Sequence, residues 1–462
     1  MTTQAKTKVE DSNDEKRLPR ILVVTPEITY LPKGMGNLAQ RLSAKAGGLA
    51  DVSASLVNAL FELGADVHVA LPNYRRMFHL EAHNVFESEY ERVNRALPEQ
   101  HIHMAQDRIF YHRSRVYSQH ENHKLSLAFQ REVINHIIPQ VKPDLIHCND
   151  WMTGLVPAVA KRYGIKSLFT VHNIHTEKLT LAAIEDRGID AAEFWEHCYY
   201  LRTPHHYEES RESNPVDFLT TGIFSADHVN SVSPKFLSEV VDGQHDFVPG
   251  HINHELWQKC HHGCASGILN APDATFDPAT DEHLEARYTA ETHREGKAAN
   301  KHRLQEILGL KIDPDAPLLF WPSRLDPVQK GPELFCHILH QLTVDYPDLQ
   351  VAIIANGEFK RHFGDVVRMH DLHDRVALAD FRDPLSHLGY AGADFMIMPS
   401  RFEPCGLPQM ISPKYGTLAI AHDTGGIHDT VDHLNYEAGT GSGFLFGHYT
   451  PEGLRWAIDE AL

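Results

Sequence analysis

Glu403 and Gly406 lie three positions apart, between a predicted strand and a predicted helix. The strand is the apolar run over residues 394–400, and the helix covers residues 408–416 and ends at a glycine. A carboxylate at this turn can accept hydrogen bonds from sugar hydroxyls, and backbone N–H groups at the start of a helix favour a phosphate. The turn is therefore typical of an enzyme that binds a nucleotide sugar, although any loop in a ligand crevice has the same shape.

Arg324 and Lys330 follow another predicted strand, residues 318–321. A diphosphate that leaves a sugar must be neutralised as the glycosidic bond breaks, and two cations in a cleft suit that task. Without further information, an arginine and a lysine at these positions are equally compatible with an ordinary solvated surface.

The segment Lys45-Ala-Gly-Gly-Leu49 leads into a helix whose apolar stripe includes Val52 and Leu60. Glycines there allow a substrate to approach the backbone, and the lysine adds positive charge. Considered alone, the segment is better explained as a glycine turn with a solvated lysine. Asp51, early in the helix, is compatible with a simple partner for the helix dipole. Glu27, just after the first strand pattern, is interpreted as a turn or helix-dipole residue.

Short apolar runs rich in β-branched residues alternate with helical periodicities along the chain. These runs are residues 20–25, 66–71, 144–148, 167–171, 228–232, 318–321, 349–354, 376–378, 395–398 and 418–420. The alternation predicts parallel sheets with helices on both faces. A polar stretch over residues 241–300 shows no strand pattern and separates the two series. We therefore predict an α/β protein with two doubly wound lobes that face each other across a cleft.

The bulk composition restricts the classes of partner. The chain has 462 residues and a formal net charge of −19 at pH 7, without a compensating basic block. This charge argues against nucleic acid or an anionic membrane as a partner. Residues 1–18 are polar and charge-balanced, which predicts a disordered leader rather than a signal peptide. Six scattered cysteines fit reduced thiols in the cytoplasm.

A series of segments, in the same order along the chain, resembles the signatures of bacterial glycogen synthases and plant starch synthases. The segments are Lys45-Ala-Gly-Gly-Leu49, Cys148-Asn-Asp-Trp-Met-Thr-Gly-Leu155, Thr170-Val-His-Asn-Ile174, Ser266-Gly-Ile-Leu-Asn270, Gly296-Lys-Ala-Ala-Asn-Lys301, Ser323-Arg-Leu-Asp-Pro-Val-Gln-Lys-Gly331, Ser400-Arg-Phe-Glu-Pro-Cys-Gly-Leu407 and Thr424-Gly-Gly-Ile427. The resemblance implies a GT-B fold. It also implies a retaining transfer of glucose from a nucleotide-glucose to the end of an α-1,4-glucan. It favours ADP-glucose, although the motifs do not distinguish adenine from uracil.

The resemblance assigns roles to individual residues. It implies catalytic roles for Glu403, His172, Arg324 and Lys330, the histidine acting through its backbone carbonyl rather than as a base. It implies donor-binding roles for Lys45, Gly47, Gly48, Asn270, Phe381, Cys405, Gly406, Leu407, Thr424, Gly425 and Gly426. It implies contacts with acceptor or sugar for Asp51, Asp150 and Trp151. Phe381 is equally compatible with a residue of the core. No cofactor and no metal are expected.

The resemblance also predicts how the chain divides. An N-terminal lobe over residues 19–255 would lie on the acceptor side, and a C-terminal lobe over residues 256–462 would hold the nucleotide sugar. Relatives continue with helices that return to the first lobe, so we expect this chain to be truncated at its C-terminus.

Three departures from the family pattern keep a second function open. Met152 replaces the usual histidine, residues 30–44 form an extra segment with the helical pattern of a lid over the cleft, and the C-terminal helices of relatives are missing. Separately, Lys330 is one residue further from Arg324 than usual, which weakens its assignment. The alternative is a glucan-binding or regulatory protein with weakened catalysis. A dinucleotide-dependent dehydrogenase is excluded, because no Gly-x-Gly-x-x-Gly follows the first strand. The segment from Cys260 to Cys264 lacks a second cysteine pair and does not predict a zinc site.

Overall fold

The computed structural model describes residues 18–36, 39–79, 101–117 and 121–462. These residues form two α/β units, each built on a parallel sheet. The predicted pair of doubly wound lobes is therefore confirmed. In the described part of the chain, no helix combines the length and the apolar character needed to cross a membrane.

The first sheet has seven strands in the order β3-β2-β1-β4-β5-β8-β9, all parallel. The strands are β1 (Arg20–Val24), β2 (Asp66–Pro72), β3 (Ile102–Ala105), β4 (Leu145–Asn149), β5 (Lys166–Val171), β8 (His228–Ser231) and β9 (Ala265–Gly267). A separate antiparallel pair consists of β6 (Lys178–Leu179) and β7 (Val216–Asp217). The apolar residues of the central strands are buried on both faces, as parallel sheets require.

Helices of the first lobe cover both faces of this sheet. They are α1 (Gly48–Glu62), α2 (Arg108–Tyr111), α3 (Asn122–Glu132), α4 (Ile138–Val141), α5 (Val156–Arg162), α6 (Leu181–Glu185), α7 (Tyr207–Ser213), α8 (Phe218–Ser225), α9 (Pro234–Val241) and α10 (Gly250–His261). A π-helical turn, Val133–Ile137, joins α3 to α4.

The second sheet has six parallel strands in the order β12-β11-β10-β13-β14-β15. The strands are β10 (Leu318–Trp321), β11 (Gln350–Ile354), β12 (Val376–Ala379), β13 (Phe395–Met398), β14 (Leu418–His422) and β15 (Gly443–Phe446). The helices are α11 (His293–Leu308), α12 (Pro332–Asp345), α13 (Lys360–Met369), α14 (Asp383–Gly392), α15 (Pro408–Ile411), α16 (Gly425–Thr430) and α17 (Pro451–Ala461).

The expectation that residues 241–300 contain no strand is wrong at β9. This strand has only three residues, Ala265-Ser-Gly267, and therefore carries no apolar run. Gly267 allows close packing, since a Cβ there would lie 2.4 Å from Pro234 at the start of α9. The division between residues 255 and 256 stays a prediction. In the sequence β9 follows that division, yet it pairs with β8 of the first sheet.

The extra segment over residues 30–44 packs into the first lobe instead of covering the cleft. Its apolar side chains lie in the first-lobe core with at most 3% exposure, and they are Leu31, Met35, Ala39, Leu42 and Ala44. Ile28 and Ala44 pair as an antiparallel bridge that closes the segment at its base. The predicted lid is therefore not formed by the described residues of this segment, because their apolar side chains are used in the core.

Candidate active site

A cavity of about 550 Å³ lies between the two lobes. Its walls come from loops after β1, β4 and β5 of the first sheet and after β10 and β13 of the second. In both parallel sheets these loops follow the carboxyl ends of strands, where open α/β sheets bind ligands. The volume suits a ligand of the size of a nucleotide sugar.

Most residues predicted from the sequence line this cavity together. They are Glu403, His172, Arg324, Lys330, Lys45, Gly47, Gly48, Asn270, Phe381, Cys405, Gly406, Leu407, Asp51, Asp150 and Trp151. The two lobes thus bring together residues that are far apart in the sequence. This grouping is a statement about position, and the roles of the individual residues remain predictions.

The remaining predicted residues, Thr424, Gly425 and Gly426, lie behind the cavity wall. The backbone N–H of Gly425 donates to Glu239 of the first lobe at 3.1 Å, and the N–H of Gly426 donates to the carbonyl of Glu403 at 2.9 Å. Both N–H groups therefore already have partners. In this structure the glycines support the loop that carries Glu403 and do not face the cavity.

Glu403 is a buried carboxylate in contact with a partly buried cation. Its Oε2 accepts a hydrogen bond from Lys330 Nζ at 2.5 Å and another from Ser400 Oγ at 3.0 Å. The carbonyl of Ser400 in turn accepts a bond from His422 Nδ1 at 2.8 Å. Because Oε2 takes both side-chain bonds, Oε1 is the oxygen that remains to accept hydroxyl groups in the cavity.

The loop that carries Glu403 is packed against the first lobe. Phe402 is buried in the first-lobe core, and its ring stacks on Phe247 with centroids 4.0 Å apart. Gly406 adopts φ +76, which glycine accepts at little cost, and it precedes the short helix α15. Burial raises the pKa of the Cys405 thiol to about 12, so this cysteine is a neutral neighbour of the site and not a nucleophile.

Arg324 and Lys330 belong to one loop between β10 and α12. Its path is fixed at the far end by Gly331, which has φ +66 and where a Cβ would lie 2.2 Å from the carbonyl oxygen of Pro399. Lys330 is held by Glu403, whereas the exposed Arg324 has no carboxylate partner among the residues that the structure describes. The extra residue between the two cations does not remove Lys330 from the cavity.

Glu27 holds the lysine loop in place, a function that the sequence does not predict. Its Oε2 accepts the backbone N–H groups of Ala46 at 2.6 Å and Gly47 at 3.0 Å, and its Oε1 accepts Tyr117 Oη at 3.2 Å. Burial outweighs these bonds and raises the pKa of Glu27 to about 7. The only sequence signal was a glutamate after a strand, which identifies neither partner.

Lys45 and Asp51 form an ion pair at the start of α1. Lys45 Nζ lies 3.1 Å from Asp51 Oδ2, and Thr29 Oγ1 donates to Asp51 Oδ1 at 2.9 Å. Lys45 also lies 4.0 Å from Asp383 of the second lobe. The lysine therefore stands where the two lobes approach each other, with its ammonium group at the cavity wall.

Asp150 and His172 form a rigid corner after β4 and β5. Asp150 has φ 56, and its Oδ1 accepts the backbone N–H of His172 at 2.7 Å. Burial raises the pKa of Asp150 to about 7. Burial also lowers the pKa of His172 to about 3, so its imidazole is neutral. Its Nε2–H donates to Asn149 Oδ1 at 2.9 Å, which leaves Nδ1 unprotonated. The lowered pKa makes this nitrogen a weak proton acceptor near neutral pH, which argues against a general base.

Phe381 is not a residue of the core. Its side chain is 40% exposed at the cavity wall, while its N–H donates to Asn356 Oδ1 at 3.1 Å. An exposed ring in this place can stack on a planar base.

Met152 is 1% exposed in the first-lobe core and is absent from the cavity wall. The departure from the family pattern at this position therefore does not alter the cavity lining.

The combined arrangement provides three kinds of contact. Cations at Lys45, Arg324 and Lys330 can neutralise a diphosphate. The carboxylate of Glu403 can accept sugar hydroxyls, and the ring of Phe381 can stack on a base. An anionic ligand with a sugar at one end and an aromatic base at the other matches this set.

Comparisons with known proteins agree with this geometry. Residues 20–252 match the starch synthase catalytic domain family, and residues 316–462 match the family of glycosyl transferases group 1. Over 448 residues the chain is 34% identical to a glycogen synthase of Exiguobacterium sibiricum, covering 90% of this chain and 88% of that protein. It is 32% identical over 446 residues to a glycogen synthase of Bacillus subtilis, with coverage of 90% and 88%.

A solved structure supports the same assignment. The catalytic domain of starch synthase IV from Arabidopsis thaliana, bound to ADP and acarbose, superposes with a TM-score of 0.76 and 25% identity. The match covers 96% of this chain and 91% of that chain. The predicted GT-B architecture is thereby confirmed. The chain belongs to the glycogen synthase and starch synthase family and is a glycosyltransferase.

Proposed function

We propose that this enzyme transfers glucose from ADP-glucose to the non-reducing end of an α-1,4-glucan with retention of configuration. The observation that carries the proposal is the contact between Lys330 and Glu403 inside a cavity that also holds Arg324 and Lys45. A cation for the leaving diphosphate thus stands beside a carboxylate for the sugar. The six cysteines are all free, which supports the proposed cytoplasmic location.

The reaction can be assigned to groups of the cavity. The bond between the anomeric carbon and the diphosphate oxygen breaks, and the diphosphate gains negative charge that Arg324 and Lys330 stabilise. The hydroxyl of the glucan attacks from the same face, and its proton passes to the departing phosphate oxygen. Glu403 accepts hydroxyls of the transferred glucose. We assign the backbone carbonyl of His172, a residue of the cavity wall, to the sugar ring, where positive charge develops.

A competition assay between two donors, with the glucan product measured, tests the proposal directly. The protein is incubated with glycogen and equal concentrations of ADP-glucose and UDP-glucose that carry different isotopes. We expect glucan elongation mainly from ADP-glucose, with release of ADP. Preferential use of UDP-glucose would correct the donor alone. Glycogen binding without elongation from either donor would overturn the proposal in favour of a glucan-binding protein.

Replacement of Glu403 by glutamine tests the sugar contact. The amide keeps the size of the side chain but removes the charge that strengthens hydrogen bonds to the reacting sugar. We expect kcat to fall by about two to three decades, on the order of 3–4 kcal/mol, with a much smaller change in KM for the donor. Steady-state kinetics with ADP-glucose measure both values. A near-normal kcat would show that Glu403 has only a structural role.

Replacement of Arg324 by alanine tests the phosphate contact. The diphosphate carries charge before the reaction begins, so the loss of this cation should weaken donor binding as well as turnover. We expect kcat/KM to fall by about two decades, with KM raised several-fold. Arg382→Ala is the matched control, because Arg382 is exposed on the same lobe but does not line the cavity. Equal effects of the two changes would contradict the assignment.

Protonation of Glu27 should make stability depend on pH. Its folded pKa of about 7 exceeds the ordinary value of 4.5, so between these values the folded state holds a proton that the unfolded state has released. Stability should therefore fall as pH rises from about 4.5 to 7, by up to about 1.4 kcal/mol for each pH unit from this group. Glu27→Gln should flatten the pH profile of the thermal midpoint. An unchanged slope would show that Glu27 is ionised throughout.

A further inference from the structure

Four polar side chains lie on one face of the first sheet, close to the amino ends of β2 and β3. Asp66 and His68 stand two positions apart on β2, and His101 and His103 stand two positions apart at the start of β3. Side chains two positions apart on a strand point to the same face. Because β2 and β3 are neighbours, they bring Asp66 and His68 close to His101 and His103.

The ligand atoms of three of these residues converge. One atom each from Asp66, His68 and His101 lies within 4.8 Å of the other two. His68 Nε2 is 3.1 Å from Asp66 Oδ1, and the rings of His68 and His101 stack with centroids 4.7 Å apart. A tetrahedral zinc ion with bonds of about 2.0–2.2 Å needs ligand atoms roughly 3.4 Å apart. A rotation of the half-buried His101 side chain would bring its ligand atom to this separation.

Asp66, His68 and His101 form the cluster, and each of their side chains is oriented by a hydrogen bond to a residue outside it. His101 Nδ1 donates to the carbonyl of Val67 at 2.9 Å, which leaves Nε2 as the free acceptor. His68 Nδ1 and His103 Nε2 are 2.9 Å apart. Arg20 Nε binds Asp66 Oδ2 at 2.8 Å and leaves Oδ1 directed at His68. Metal-binding histidines in proteins are held in this way through their second nitrogen.

The cluster offers a cation one carboxylate oxygen and two imidazole nitrogens. Arg20 is the cation that faces Asp66, and its charge is taken up by the other carboxylate oxygen. Carboxylate oxygens and imidazole nitrogens are typical ligands for zinc-class ions.

We propose that Asp66, His68 and His101 bind one divalent transition-metal ion of the zinc class. Water would occupy the fourth position of the tetrahedron. In the metal-free protein His68 Nε2–H donates to Asp66, and His103 Nε2–H donates to His68 Nδ1. On binding, His68 moves its proton to Nδ1 and donates to His103 Nε2, while His103 moves its own proton to Nδ1. Both rings change tautomer, and no net proton is released.

The site is separate from the active site. The cavity lies at the carboxyl ends of the strands, whereas this cluster lies at the amino ends of β2 and β3, and none of its members lines the cavity. Its metal would join β2 to the edge strand β3, whose other side has no strand partner in the described sheet. The expected effect is therefore on stability and not on the chemistry of transfer.

Metal binding by the full chain without an affinity tag tests the proposal. The protein is dialysed against Zn²⁺, its metal content is measured, and Co²⁺ provides a visible spectrum that reports tetrahedral coordination. We expect about one tightly held ion per chain and a thermal midpoint raised by roughly 5–10 °C in excess zinc. His101→Asn should abolish both effects, because asparagine can keep the bond to Val67 but lacks the second nitrogen.

Two further variants make the outcome decisive. His262→Asn alters an exposed histidine outside the cluster and should bind as much metal as the unmodified chain. His101→Gln replaces His101→Asn if circular dichroism shows that the asparagine variant is not folded. Equal metal content in the unmodified chain and in the folded His101 variant would overturn the proposal, as would the absence of a tetrahedral Co²⁺ spectrum.

Discussion

Close backbone packing between two loops of the second lobe fixes the position of Glu403. The N–H of Gly426 donates to the carbonyl of Glu403, and a Cβ at Gly425 would lie 2.0 Å from the same oxygen. Gly425 also adopts φ +47, a region that residues with a side chain rarely enter. The carboxylate that contacts Lys330 can stand at the cavity only because no side chain separates these loops.

The same loops are attached to the first lobe. Phe402 stacks on Phe247, and Glu239 accepts the N–H of Gly425 and the side chain of His245. Although burial acts against them, these bonds lower the pKa of Glu239, so it remains an anion at the contact between the lobes. A change in the angle between the lobes would have to break these contacts, so cleft width and the placement of Glu403 are mechanically coupled.

Local sequence patterns predict the fold because each central strand is a continuous apolar run. They fail where a strand is short, as in β9, or where a polar side chain acts through the backbone of a distant segment. Glu27 is the clearest case, because its partners Ala46 and Gly47 become neighbours only after β1 and α1 are packed together. The resemblance assigns residues 424–426 to the donor, while the N–H groups of Gly425 and Gly426 have partners within the protein. A motif alone does not show which of its residues line the cavity.

The contact between Lys330 and Glu403 has a consequence for the proposed reaction. In this structure each charge compensates the other, which limits the cost of removing both from water. In the proposed reaction, the new charge on the diphosphate would compete with Glu403 for Lys330 as the glucosyl bond breaks. Glu403 would then carry an uncompensated charge beside the sugar, whose ring becomes positive. Bond cleavage creates the diphosphate charge that draws Lys330 away from Glu403. The stabilisation gained from this change of partner would therefore be larger in the transition state than in the bound substrate, which is the condition for raising kcat.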